Sequence, residues 1–156
     1  SFGACSGPDD VYLALRGLRT MGVRMPRHHE SGLKIARWLQ DRPEVIRVMH
    51  PGLPEDPGHE LWCRDFSGAS GLFGFVVESP NPTKAAEFMD GLEYFGMGSS
   101  WGGFESLLIP AAPEKNRSAT EWAPGGFTMR IHVGLEDVDD LIADLNAGFD
   151  RYNKAG

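Results

Sequence analysis

Residues 127–133 read FTMRIHV, and their alternation is unbroken. Phe127, Met129, Ile131 and Val133 fall on one side of an extended chain, and Thr128, Arg130 and His132 on the other. Successive side chains of a strand point to opposite faces, so this segment commits to a strand with one face against an apolar layer. A slip of one residue would carry the whole apolar set into water. Such a strand cannot stand alone. It needs neighbouring strands and a covering layer on its apolar side.

Helical patterns supply that layer. Over residues 136–150, Val138, Leu141, Ile142, Leu145 and Phe149 form one stripe, while Glu136, Asp137, Asp139 and Asp140 lie in or beside the first turn, where the helix dipole favours negative charge. Residues 82–94 begin with Asn81 as cap and Pro82 at the first position, and space Ala85, Phe88, Met89 and Leu92 for burial. A helix over 8–24 opens with Pro8, Asp9 and Asp10 and carries Val11, Leu13, Leu15, Leu18 and Met21, weakened by Gly17 and Gly22. Pro26 predicts a break, followed by a second helix over 28–41 with Leu33, Ile35, Ala36 and Leu39.

Further strands are predicted over 44–49, 71–78 and 105–110. Residues 59–66 read as a short helix or an irregular piece, and 111–126, with Pro113, Pro124, Gly125 and Gly126, as a loop. The order predicts an α/β or α+β two-layer domain, with a small mixed or antiparallel sheet and helices on one face. The last two strands, joined without a helix, are expected to be antiparallel.

The formal net charge of −7 disfavours a phosphate backbone, so no nucleic-acid partner is expected. No apolar run approaches the roughly 20 residues that span a bilayer, so no membrane partner is expected either. SFGACSGPDD has neither the basic-then-apolar pattern of a signal peptide nor an initiating Met, which reads as a chain processed, trimmed or cut from something longer. Cys5 and Cys63 form no CxxC, so a disulfide scaffold and a zinc site are not expected and the cytoplasm is the simplest compartment; whether the two pair stays open.

Arg130 is the most informative charged residue. In mid-strand it must be solvated, paired with a carboxylate, or aimed at a ligand whose carboxylate its planar fork would fit. The second candidate is Gly98-Ser99-Ser100-Trp101-Gly102-Gly103. It follows a helix and lacks the third glycine of a dinucleotide loop, so that reading fails. Ser100 has no His and Asp partners that can be placed beside it. A ligand loop and a plain glycine turn both remain.

His28-His29-Glu30 puts adjacent imidazoles about 100° apart without H-E-x-x-H, which predicts surface histidines, not a metal site. His132 shares the Arg130 face and is either near a site or a hydrogen-bonded spectator. Arg16 and Arg19 suit an acidic partner, or are solvated or paired. Lys34, Lys84, Lys115 and Lys154 lie in no context that would depress a lysine pKa. The chain offers binding groups without a catalytic residue of its own.

Several blocks occur in a recognisable order: SGPDDVYLALRGLRTMGVRM, VMHPGLPEDPGHELWCRDFSGASGLFGF, SSWGGFESLLIP and MRIHVGLEDVDDLIADL. They resemble the C-terminal part of the Cys/Met-metabolism pyridoxal-phosphate enzymes over nearly the whole chain. Trp101 in SSWGG is most similar to the cystathionine β-lyase branch, where γ-lyases and γ-synthases more often carry Leu. The resemblance implies a fold-type-I, cytoplasmic, homo-oligomeric (usually homotetrameric) enzyme of amino-acid metabolism. It implies C–S β-elimination of cystathionine to homocysteine, pyruvate and ammonia. Pyridoxal 5'-phosphate and the lysine that binds it would belong to a preceding large domain. Residues 1–24 would then be the connecting helix from that domain, and 25–156 the C-terminal substrate-binding domain. By the same resemblance Arg130 binds the substrate α-carboxylate, Ser100 and Trp101 line the site, and Glu105 and Ser106 are structural. The alternatives are the same domain of a γ-lyase or γ-synthase, or a freestanding α/β module that holds an amino acid through Arg130.

Overall fold

The computed structural model describes residues 3, 5–78 and 81–155; residues 1, 2 and 4 of the expected connecting segment, and 156, lie outside the described residues. The alternating segment forms β4 (Phe127–His132). It is flanked on one side by β2 (Leu72–Val77) and on the other by β3 (Leu107–Pro110), and β1 (Val45–Met49) completes a sheet of order β1-β2-β4-β3. Every pairing is antiparallel. The outer borders are irregular: β1 has a register shift between Val45 and Arg47, and Gly96 forms an isolated bridge to Leu107 of β3.

Met129 and Ile131 of β4 join Phe73, Phe75 and Val77 of β2 and Leu108 of β3 in the core. The layer above them is built from α1 (Pro8–Gln40), α3 (Pro82–Met89) and α4 (Val138–Lys154). Phe88 and Phe149 meet with ring centroids 4.6 Å apart. Gly148 permits this approach, since a Cβ there would lie 2.9 Å from the Phe88 ring. Fully burying side chains of this size contributes roughly 1.5–3 kcal/mol each. The short helix α2 (His59–Asp65) contributes no buried residue. The expected two-layer architecture is thus present, with an all-antiparallel sheet.

Several boundaries differ from the sequence reading. Pro26 does not divide two helices; it lies inside the 33-residue α1. A helix-interior proline loses one hydrogen bond and costs about 3 kcal/mol. The following turns offset this by burying Ile35, Ala36 and Leu39 in the core. Upstream of Pro26 the same helix exposes Val11, Tyr12, Leu13, Leu15 and Leu18. Helix α3 ends at Met89, not at residue 94, because the Asp144 carboxylate captures the amides of Glu93, Tyr94 and Phe95. Strand β3 begins at Leu107, two residues later than expected, because Ser106 is held from outside the sheet by Glu136. Glu136 therefore does not serve the first turn of α4, which is capped by Asp137 accepting from the Asp139 amide. The predicted loop 111–126 contains one 3-10 turn, Pro113–Lys115.

Candidate functional site

The sheet face opposite the core carries Thr128, Arg130 and His132. The register sets Gly74 of β2 and Ile109 of β3 beside Arg130, and Leu72 and Leu107 beside His132. Gly74 has no side chain to crowd the arginine, and its place is taken by Met49: a Cβ there would lie 2.7 Å from Met49 Cε.

Arg130 and His132 of this face reach the segment 98–104. Arg130 Nη2 donates to the Ser99 carbonyl at 3.2 Å, and His132 Nε2 to the Gly103 carbonyl at 3.1 Å. The Leu135 amide donates to the Phe104 carbonyl at 2.8 Å. Just beyond, Ser106 donates its amide and its hydroxyl to the two oxygens of Glu136, and its Oγ accepts from the Gly134 amide, all at 2.8 Å. The loop backbone is thereby fixed at successive points. Gly102, with φ +95°, makes the reversal that a side chain would resist.

What this anchoring leaves outside is informative. Ser100 is exposed, Trp101 is 54% exposed and Phe104 68% exposed. Among the described residues Arg130 has no carboxylate partner; the ion pairs are Lys34–Asp139, Arg42–Glu44 and Arg64–Asp65. One backbone carbonyl satisfies one of its five N–H donors. The face therefore presents an unneutralised guanidinium beside a pinned loop and a bare indole, which suits a planar anion with an apolar tail.

His132 is hydrogen-bonded, its Nε2 holding the loop beside the Arg130 face. Its Nδ1 is buried with no partner among the described residues. The ring lies 5.3 Å from that of His28. His28 is not the surface histidine expected: it is buried, with Nδ1 donating to the Val133 carbonyl at 2.8 Å. Burial holds the His132 pKa below the ordinary imidazole value, and His28 adds to this, against the opposing pull of the Gly103 carbonyl, Glu136 and Glu105. His50, also buried, is lowered for the same leading reason.

A histidine whose folded pKa is depressed contributes stability that is complete above the unfolded value, about 6.5, and is lost as pH falls through the folded value. The melting temperature is therefore expected to drop as pH falls from about 7 towards 5. In His132→Gln that slope should be shallower. Melting curves across the range check this, and an unchanged slope in the variant would remove His132 from the effect.

The four lysines lie elsewhere. Lys34 pairs with Asp139, Lys84 sits 5.4 Å over the Tyr152 ring, and Lys154 closes α4. Lys115 lines a separate cleft of about 570 Å³ with Trp122 and Thr128, to which Arg130 does not contribute. Cys5 and Cys63 are both free and exposed. Among the described residues no group of three or more His, Cys, Asp or Glu could hold a metal ion, and no helix is long and apolar enough to cross a membrane.

The family model for "Cys/Met metabolism PLP-dependent enzyme" matches residues 1–150. The chain belongs to this family. It is similar to a putative cystathionine beta-lyase of Rhizobium johnstonii, 51% identical over 151 residues covering 94% of this chain and 38% of that protein. It is likewise similar to a cystathionine beta-lyase of Escherichia coli, 52% identical over 147 residues covering 92% and 37% respectively. A solved cystathionine gamma synthase from Xanthomonas oryzae pv. oryzae, in complex with cystathionine, superposes with a TM-score of 0.84 at 35% identity, covering 97% of this chain and 40% of that one. The family's structural neighbours are fold-type-I enzymes, in agreement with the two-layer domain described above. The chain spans about two fifths of the length of the curated relatives it matches.

The family's cofactor, pyridoxal 5'-phosphate, needs a lysine for its aldehyde and donors for its phosphate. Among the described residues Lys34, Lys84 and Lys154 lie on helices and Lys115 lines a cleft to which Arg130 does not contribute, so none of the four is placed beside the Arg130 face.

Proposed function

We propose that this chain is the C-terminal, substrate-binding portion of a pyridoxal-phosphate-dependent carbon–sulfur β-lyase that cleaves cystathionine to homocysteine, pyruvate and ammonia. The observation that carries the reading is the uncompensated Arg130 guanidinium, placed beside the pinned loop with Ser100 and Trp101 outward. In this reading Arg130 grips the substrate α-carboxylate through two parallel N–H donors. Ser100 and Trp101 form the wall beside it, and the indole shields the thioether arm from water. The cofactor, held by a preceding large domain, supplies the electron sink when bound. Residues 1–24 then serve as the connection from that domain and 25–156 as the substrate-binding domain. The exposed apolar turns of α1 would be covered by the rest of the enzyme, a cytoplasmic homo-oligomer acting in methionine biosynthesis.

A γ-lyase or γ-synthase of the same family is the second reading, favoured by the structural match to the Xanthomonas enzyme. Product analysis separates them. The natural-length protein supplied with cystathionine is expected to release pyruvate and homocysteine in equal amounts, while the 156-residue chain alone releases neither and binds the cofactor weakly. Cysteine and 2-oxobutyrate as products would instead establish the γ-lyase reading. Turnover by the isolated chain would overturn the assignment of the chemistry to another part.

A further inference from the structure

A cleft of about 680 Å³ opens between α1, α2 and the segment entering β2, and neither Arg130, Ser100 nor Trp101 lines it. Its apolar walls are Met25, Pro26, Trp62, Phe66 and Leu72. Binding sites for small molecules commonly have this form, a largely apolar cleft of roughly 300–1,000 Å³ with a few placed polar groups. Two imidazoles are those groups here.

His50 forms part of the wall and is only 1% exposed. Its Nδ1 accepts from the Gly52 amide at 3.0 Å, so the neutral ring carries its proton on Nε2. That Nε2–H is buried and has no acceptor among the described residues. The ring cannot easily turn to find one. It packs edge-on to Phe73 at 5.3 Å, and its Cε1 and Nδ1 lie within about 3.0 Å of where a Gly52 Cβ would stand. Burial, reinforced by His29 and Arg37, keeps it neutral, although Asp56 and its own backbone hydrogen bond pull the other way. An unmet buried donor of this kind costs about 1–3 kcal/mol, which a suitable acceptor would recover.

His29 repeats the arrangement. Its Nδ1 accepts from the Ala69 amide at 3.0 Å, which again places the proton of the neutral ring on Nε2. The His29 ring stacks towards Trp62, with centroids 6.3 Å apart and planes 17° apart, and His59 stacks on the same indole at 5.8 Å and 26°, so Trp62 is held by two imidazoles and offers a ligand only the part of the ring that lines the cleft. The cleft thus combines a flat, nearly parallel pair of rings with donors and no competing side-chain carboxylate in its lining. Its ligand must bring the acceptor.

We propose that this cleft binds a small molecule with a flat apolar body and a carboxylate or carbonyl oxygen, the oxygen accepting from His50 Nε2–H and the body lying against Trp62. An aromatic monocarboxylate meets both requirements. The proposal does not depend on the lyase reading, because the two sites share no lining residue.

Indole-3-acetate is the probe, added to the natural-length protein and followed by calorimetry and by the imidazole ¹⁵N resonances. Binding is expected, with a shift of the His50 Nε2 signal while Nδ1 stays an acceptor. 3-Ethylindole, which keeps the body and lacks the acceptor, is expected to bind at least about tenfold more weakly. In an Arg130→Ala background, which removes the other anion-binding face, indole-3-acetate is still expected to bind, and adding His50→Phe or Trp62→Ala should each weaken it by a similar factor. No binding at millimolar probe overturns the proposal. So does equal affinity for the two probes on the unaltered protein, a comparison that holds even where His50→Phe fails to fold.

Discussion

Replacing Arg130 with alanine in the natural-length protein is expected to lower kcat/KM for cystathionine by at least about a hundredfold, because removing one side of a desolvated charge pair costs roughly 2–5 kcal/mol. Arg130→Lys should recover little of the loss. An ammonium keeps the charge but not the two parallel donors that hold a carboxylate in one orientation. Misorientation lowers kcat as well as raising KM, so both constants should move. The side chain also holds the Ser99 carbonyl, and a purely structural role must be separated from a binding role. That hydrogen bond is a single exposed one, worth about 1 kcal/mol, so the melting temperature should change little. A folded Arg130→Ala protein with unchanged kinetics would remove Arg130 from the substrate site. A large loss of stability with a proportionate loss of activity would reduce it to a loop anchor.

Asp144→Ala is expected to be the most damaging of the polar substitutions for stability, at roughly 2–4 kcal/mol, since it strips the buried Phe95 amide and the part-buried Glu93 and Tyr94 amides of their acceptor, and a buried amide left without a partner costs about 1–3 kcal/mol. Oδ1 accepts from Glu93 at 2.9 Å, and Oδ2 from Tyr94 at 2.8 Å and Phe95 at 3.2 Å. Asp144 is itself buried on α4, beside Leu141 and Leu145. Against a typical total of about 5–15 kcal/mol the loss is a large fraction. Asp144→Asn keeps one carbonyl oxygen and turns an NH₂ towards amide donors, so it should recover only part. Denaturant titration of the three proteins measures this. A loss under about 1 kcal/mol for alanine would mean the turn is held by other contacts. The same turn leads into Gly96, whose amide donates to the Ser106 carbonyl, so loosening it should also loosen the loop that carries Ser100 and Trp101.

The strand FTMRIHV was legible because period-two alternation is local and one residue of error inverts it. The stripes of α3 and α4 were legible for the same kind of reason. Arg130 and the GSSWGG loop could each be singled out in the sequence, but their contact across β4 could not, because a hydrogen bond between residues 31 positions apart has no local signature. Other features were missed or misread for distinct physical causes. Pro26 is a strong breaker by propensity, yet tertiary burial of the following turns carried α1 through it. Glu136 looked like a dipole-favoured acid at a helix start, whereas its carboxylate clamps Ser106. Asp144 shares the buried side of α4 with Leu141, Leu145 and Gly148. The apolar stripe on that side was visible, but the task of the acid within it was decided by three amides far away in sequence. His28 has the pattern of a surface residue because its acceptor, the Val133 carbonyl, lies 105 positions on.

The sheet's two borders bear on how this chain behaves when it is concentrated. β3 is four residues long and ends in Pro110, Gly96 lies along its outer side, and β1 is interrupted at Val45/Arg47. Borders of this kind give an incoming strand little regular backbone to copy, so they are poor seeds for fibrils. The adhesive surface lies instead on the first turns of α1, where Val11, Tyr12, Leu13, Leu15 and Leu18 are bare. Clustering of the isolated chain should therefore be helical and reversible by dilution, without the growth of cross-β structure.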